Sequence, residues 1–143
     1  RASAYDYLLI DCPPAFSAAS AAALIAADDV VIPIRLDAFS TSGMADLMTQ
    51  IINMQRVNPR LMVAGILVTQ YQNTGEEHAA LEYLPQSSLP VYRNVIRRSG
   101  RVSAATYARE PLVRFSPNCA AAQDYRAFVA EYMAQGGDHN GQR

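Results

Sequence analysis

Apolar positions along the chain fall into two textures, short uniform runs and longer stretches with helical spacing. Leu8-Leu9-Ile10 is too short and too uniformly apolar for an amphipathic helix and predicts a central strand covered on both faces. Residues 17–27 are Ala-rich and predict a packed helix. Residues 29–34 predict a second buried strand, with Pro33 marking where its pairing stops. Between 41 and 57, Met44, Leu47, Met48, Ile51, Ile52 and Met54 recur close to helical spacing, with Ser40 or Thr41 as N-cap. Asn58-Pro59 ends that helix. Residues 61–69 predict a third buried strand, 70–75 a polar loop, 76–84 a shorter helix, 85–90 a connection and 91–96 a further strand. Residues 102–108 predict one or two helical turns. Residues 120–133 predict a closing helix with Tyr125, Phe128, Val129 and Tyr132 as its buried stripe.

Strand and helix signals thus alternate, the pattern of an α/β fold with a parallel twisted sheet and flanking helices. No internal repeat or compositional shift marks a second domain. A single domain over 1–135, followed by a polar, Gly-rich flexible tail at 136–143, is the expected organisation.

Half of the 143 residues are apolar, enough for a sizeable core. A net charge of -1 argues against bulk attraction to nucleic acid while leaving room for a local basic patch. Cys12 and Cys119 have neither metal-site spacing nor the density of a secreted scaffold, and read as structural thiols in a reducing cytoplasm. No run approaches the ~20 apolar residues needed to span a membrane, and no membrane partner is expected. His78, beside Glu76 and Glu77, and His139 read as surface residues. All twelve basic residues are arginine. A phosphate-binding P-loop requires a lysine, so this sequence contains none.

The chemistry concentrates at the end of the first predicted strand. Asp11 would sit at a carboxyl edge, where ligands bind in open α/β sheets and where Mg²⁺ takes oxygen ligands directly or through its waters. Pro13 and Pro14 stop the strand and fix the path of the loop beyond it. A strand ending in Asp before a turn-forming proline is also ordinary turn chemistry, and that reading stands beside the functional one.

The run LLIDCPP resembles the Walker B and switch region of the ParA/MinD family of deviant P-loop ATPases, in particular ParA/Soj-type plasmid or chromosome partitioning ATPases. Later segments are similar in order and spacing: Asp29 to Ile34 followed by Phe39-Ser40-Thr41-Ser42-Gly43; Ala64 to Thr69; Arg98-Ser99-Gly100-Arg101-Val102-Ser103 through Pro111; and Ser116-Pro117 with the closing helix. The resemblance covers residues 5 to 134. It implies a partial P-loop NTPase fold within a larger twisted sheet, and ATP and Mg²⁺ as cofactors of the full-length family protein. It also implies ATP-dependent dimerisation, non-specific DNA binding, and a ParB-like centromere-binding protein as partner, in a cytoplasmic, nucleoid-associated setting. By this resemblance Asp11 holds Mg²⁺ through water, and Asp11, Pro13 and Pro14 form the catalytic switch. Thr69, Arg97 and Arg98 lie near the base or the dimer face, and Arg98 and Arg101 contact DNA phosphates.

There are departures. Arg97 stands where many relatives have proline, Ser103-Ala104-Ala105 where they often have Ser-Glu-Ala, and Gln72-Asn73-Thr74 where they often carry an arginine. A solvated arginine cluster is the alternative for Arg93, Arg97, Arg98 and Arg101. Without a lysine the chain is expected to be the C-terminal part of such an ATPase, inactive by itself and binding neither cofactor, and self-association is expected from unpaired strand edges. A non-enzymatic ParA-like interaction module is the alternative. A MinD-like membrane-positioning ATPase ranks below it, because residues 136–143 have no apolar face.

Overall fold

A computed structural model describes residues 5–13, 16–36, 41–86 and 89–136, with the backbone alone for 41–44 and 86. The chain divides into two compact units, Arg1–Val30 with Ser40–Met62 and Val31–Phe39 with Val63–Arg143.

In the first unit α1 (Ala18–Ala26) begins at Ser17, whose hydroxyl accepts from the Ser20 backbone N–H at 3.3 Å and satisfies one orphan donor of the first turn. Its small residues allow close contact with α2 (Thr41–Gln55). Ser20, Ala23 and Leu24 of α1 and Ile51 of α2 are buried, as is Leu61. Asn58, predicted only as a helix terminator, is 6% exposed. Its Nδ2 donates to the carbonyls of Leu24 at 3.1 Å and Ala27 at 2.7 Å, capping the far end of α1. The N-cap expected at Ser40 or Thr41 lies outside the described side chains.

The second unit holds β1 (Asp29–Ile34) from Val31 onward, β2 (Met62–Tyr71) from Val63 onward and all of β3 (Ile96–Arg97), joined in the order β1-β2-β3. β2 and β3 are parallel, Thr69 opposite Ile96 and Tyr71 opposite Arg97. Pro33 is accommodated because β1 is an edge strand among the described residues. Leu67 packs with Tyr92, Ile96 and Ala121, whereas Val68 packs with Leu36, Tyr71 and Leu84, so β2 is buried on both faces. Val68 and Tyr71 are three residues apart yet share a cluster. A bulge between Thr69 and Tyr71, where Gln70 has φ 56, shifts the two-residue alternation by one. Gly65 has φ 153, and a Cβ there would lie 2.8 Å from Cε2 of Tyr92. The absent side chain lets that ring lie against the strand and meet Phe128 edge-on at 4.9 Å.

Around this sheet lie α3 (Gly75–Tyr83), a 3-10 turn (Leu84–Gln86), α4 (Gly100–Ala108), α5 (Leu112–Phe115) and α6 (Ala120–Gly136). Three expectations are corrected. Leu8-Leu9-Ile10 forms no strand; the three residues are 77%, 95% and 47% exposed, because no described strand supplies their backbone with a ladder. The strand expected over 91–96 is reduced to a bridge at Val91 and the two residues of β3. On α6, Phe128 and Tyr132 pack on the core with buried Ala121, but Tyr125 and Val129 are exposed.

Candidate functional site

Because β2 and β3 run parallel, both deliver their carboxyl ends to the same edge, the position where open α/β sheets bind ligands. An open cleft of about 370 Å³ lies there, lined by Tyr71, Gln72 and Asn73 after β2, Arg97 and Arg98 at the end of β3, and Ala120 at the start of α6. Its floor is set by local bonds. Asn73 turns the chain with φ 59, and its Oδ1 accepts from the Tyr71 hydroxyl at 3.0 Å. Thr74 caps α3 by accepting from Glu77 N at 3.3 Å. The buried Glu77 carboxylate returns to accept from Gln72 N at 2.6 Å, a variant of the reciprocal capping box. Arg98 N donates to the Tyr71 carbonyl at 2.9 Å, and its Nη1 donates to Gln72 Oε1 at 2.8 Å.

The opposite wall is held by two carboxylates on α6. Glu131 accepts from the backbone N–H groups of Arg93 at 2.8 Å and Asn94 at 3.0 Å, and from Asn94 Nδ2 at 2.6 Å. These two donors bond to a carboxylate rather than to a neighbouring strand, in the stretch where the expected 91–96 strand is interrupted. Asp124 accepts from Arg97 N at 2.9 Å and from its guanidinium at 2.6 to 3.2 Å. The two acids are seven residues apart, ~10.5 Å along a helix, and they hold backbone N–H groups three and four residues apart in the 93–97 segment.

Burial pushes the Asp124 carboxyl up, but hydrogen bonds from the Arg97 side chain and backbone, with its charge, bring it below the ordinary carboxylate range. Burial likewise raises Glu131, and the bonds from Arg93 and Asn94 more than offset it, leaving it low. Hydrogen bonding to Asp124, then its charge, raises Arg97.

The expected site residues are distributed as follows. Arg97 and Arg98 meet at the cleft. Arg101 is exposed in the first turn of α4, its backbone N–H donating to the N-cap Ser99 at 3.3 Å. The Thr69 hydroxyl donates to the Ile34 carbonyl at 3.0 Å and so ties β2 to β1. Asp11 and Pro13 are exposed, outside any helix or strand, in the first unit, and Pro14 lies outside the described residues. Among the described residues no group of three or more His, Cys, Asp or Glu could hold a metal ion. A lone exposed carboxylate such as Asp11 fits an ion that keeps most of its own waters, as Mg²⁺ does. Asp124, Glu131 and Gln72 were not marked as functional by the sequence pattern. The available signal was two acids at i and i+7 in line with Ala121, Phe128 and Tyr132.

Residues 2–63 match the AAA_31 family model, described as an AAA domain. The chromosome partitioning protein ParA of Caulobacter vibrioides (strain NA1000 / CB15N) is 33% identical over 134 residues, 92% of this chain and 50% of that protein. The sporulation initiation inhibitor protein Soj of Bacillus subtilis is 31% identical over 138 residues, 92% of this chain and 53% of its own length.

The chain belongs to the ParA/Soj family of partitioning ATPases.

Within that family it also matches the chromosome-partitioning ATPase Soj of Thermus thermophilus, at 30% identity over 94% of this chain and 55% of that protein. The ParA/Soj chain thus spans about half the length of the curated relatives it matches. Among solved structures, cobyrinic acid a,c-diamide synthase from Mycobacterium smegmatis, with bound ADP and magnesium, superposes with a TM-score of 0.66 at 25% identity. The match covers 84% of this chain and 43% of that one. The fold is α/β, as the sequence pattern predicts, and a partial P-loop NTPase architecture, as the family resemblance implies. No helix among the described residues is long and apolar enough to cross a membrane.

Proposed function

We propose that this chain is the metal-aspartate and closing-helix portion of a ParA-type ATPase that partitions plasmid or chromosomal DNA. The observation that carries the reading is the cleft at the joint carboxyl ends of β2 and β3, with Arg97 and Arg98 on its wall. Charge distribution adds support. Residues 93–126 hold seven arginines and only Glu110 and Asp124 as acids, in a chain whose net charge is -1. Arg98 and Arg101 are the proposed contacts to DNA phosphates, a sequence-independent mode of binding.

In the assembled enzyme Asp11 would hold Mg²⁺ through its water shell and Pro13 and Pro14 would belong to the switch, with Thr69 and the Arg97–Arg98 pair near the base or the dimer face. When bound, Mg²⁺ and ATP supply charge neutralisation and the transferable phosphoryl group. With no lysine in the chain, the phosphate-gripping group must come from residues outside this sequence, and the chain alone is expected neither to bind ATP tightly nor to hydrolyse it. ATP-dependent dimerisation and a ParB-like partner belong to the same proposal, as do a cytoplasmic, nucleoid-associated location and self-association through unpaired strand edges.

The reading is tested by titrating the purified chain with random-sequence duplex DNA while varying salt, alongside a Mg²⁺-ATP turnover assay and light scattering. Salt-dependent DNA binding without turnover is the expected result. Turnover abolished by Asp11→Ala would overturn the inactivity of the isolated chain, and a monodisperse monomer would overturn self-association.

A further inference from the structure

We infer that the two adjacent arginines at the end of β3 have divided roles: Arg98 contacts the phosphates of duplex DNA, whereas Arg97 is a positioning residue held off the ligand by Asp124. The inference rests on the DNA-binding reading above and deepens it.

Both arginines line the same cleft, yet their surroundings differ in kind. The Arg97 guanidinium offers Nε and Nη2 to both oxygens of one carboxylate, the fork-to-fork pairing that is the strongest such contact. The Asp124 side chain is only 12% exposed and also accepts the Arg97 backbone N–H. Turning Arg97 toward a ligand would leave that carboxylate largely desolvated without its cation, which opposes the movement. Among the described residues the Arg98 guanidinium bonds to the neutral amide oxygen of Gln72 and to no carboxylate. A guanidinium carries five donors, and a neutral acceptor leaves its charge uncompensated. A phosphate can replace Gln72 and gain a charge-assisted, bidentate contact, while Gln72 holds Arg98 extended over the cleft until then. Asp124 therefore decides which of two neighbouring cations is offered to DNA.

The test is the salt dependence of binding of the whole chain to a random-sequence duplex, followed by fluorescence anisotropy between 50 and 200 mM salt, with thermal melting of every variant. Arg98→Gln is expected to lower the slope of log K against log salt by about 0.9, one phosphate's worth, at unchanged Tm. Arg97→Gln is expected to lower Tm and leave the slope alone. Asp124→Asn is expected to steepen the slope by about 0.9 as the released Arg97 joins the phosphate contacts, and Asp124→Asn with Arg97→Gln is expected to remove that gain. Because steepening is a gain, a merely structural role for Asp124 cannot produce it, and this arm decides the matter if Arg97→Gln fails to fold. Equal slope losses in folded Arg97→Gln and Arg98→Gln would overturn the division, as would a wild-type slope in Asp124→Asn. Absence of binding by the wild-type chain would instead overturn the DNA reading, and is recognisable because every variant would then be equally silent.

Discussion

Leu8-Leu9-Ile10 and Ile66-Leu67-Val68 are almost interchangeable as sequence, each three consecutive large aliphatic residues. The first triplet is between 47% and 95% exposed, and the second between 0% and 5%. Side-chain hydrophobicity is therefore not what separates them. The second triplet has β1 on one side and the 90–97 segment on the other, and a side-chain cluster on each face. The first has no ladder partner among the described residues. An apolar run supplies the tendency to be buried, but a strand forms only where another backbone accepts its N–H and C=O groups.

Substitution should separate the triplets most widely. Ile66→Ala, which empties a fully buried site, is expected to lose about 3 kcal/mol in chemical denaturation, whereas Leu9→Ala should stay within about 0.5 kcal/mol. Equal losses would show that the first triplet is buried in solution and would dissolve the contrast. Gly65→Ala tests why β2 can be covered so closely. Strain at positive φ together with the clash on Tyr92 should destabilise the second unit by roughly 2–3 kcal/mol, read as a lower Tm.

The first unit has its own buried polar anchor. Removing the Asn58 amide leaves the Leu24 and Ala27 carbonyls without their donor, so Asn58→Ala should lose about 2 kcal/mol. Hydrogen exchange should accelerate at the end of α1 but not in β2. An equal acceleration in both would mean that the two units unfold together.

The smallest expected effect is one of pH. Glu131 titrates below its ordinary value of 4.5, so its stabilising contribution is present above that pH and is lost as pH falls through the lower folded value. Glu131→Gln should lower stability at neutrality and flatten the acid side of the stability curve below about pH 4.5, the two proteins converging as pH falls. An acid limb as steep as the wild type's would show that Glu131 does not carry it.

The contrast also explains what was legible in the sequence. The helices at 17–27, 41–57, 76–84 and 120–133 carry their own information, in small-residue runs and apolar spacing, and each forms within a few residues of its expected bounds. Uniform apolar runs do not name their neighbours, so 61–69 became β2 while 8–10 did not form a strand. Arg97 and Arg98 were recognisable as members of a motif, but Asp124 was not, because its partner lies 27 residues away and the pairing exists only after α6 docks. The bulge at Gln70 was equally hidden, since a left-handed residue near a strand's end leaves no mark when it is not glycine or asparagine.

The fixed spacing of Asp124 and Glu131 along α6 also bears on which insertions and deletions the chain can tolerate. One residue added between Asp124 and Glu131 would turn the second acid by ~100° about the helix axis and carry it off the Arg93 and Asn94 backbone it grips. The same insertion beyond Tyr132 would disturb neither carboxylate. Length variation in this helix should accordingly gather in its last turn, and the stretch from 124 to 131 should behave as a ruler of fixed length.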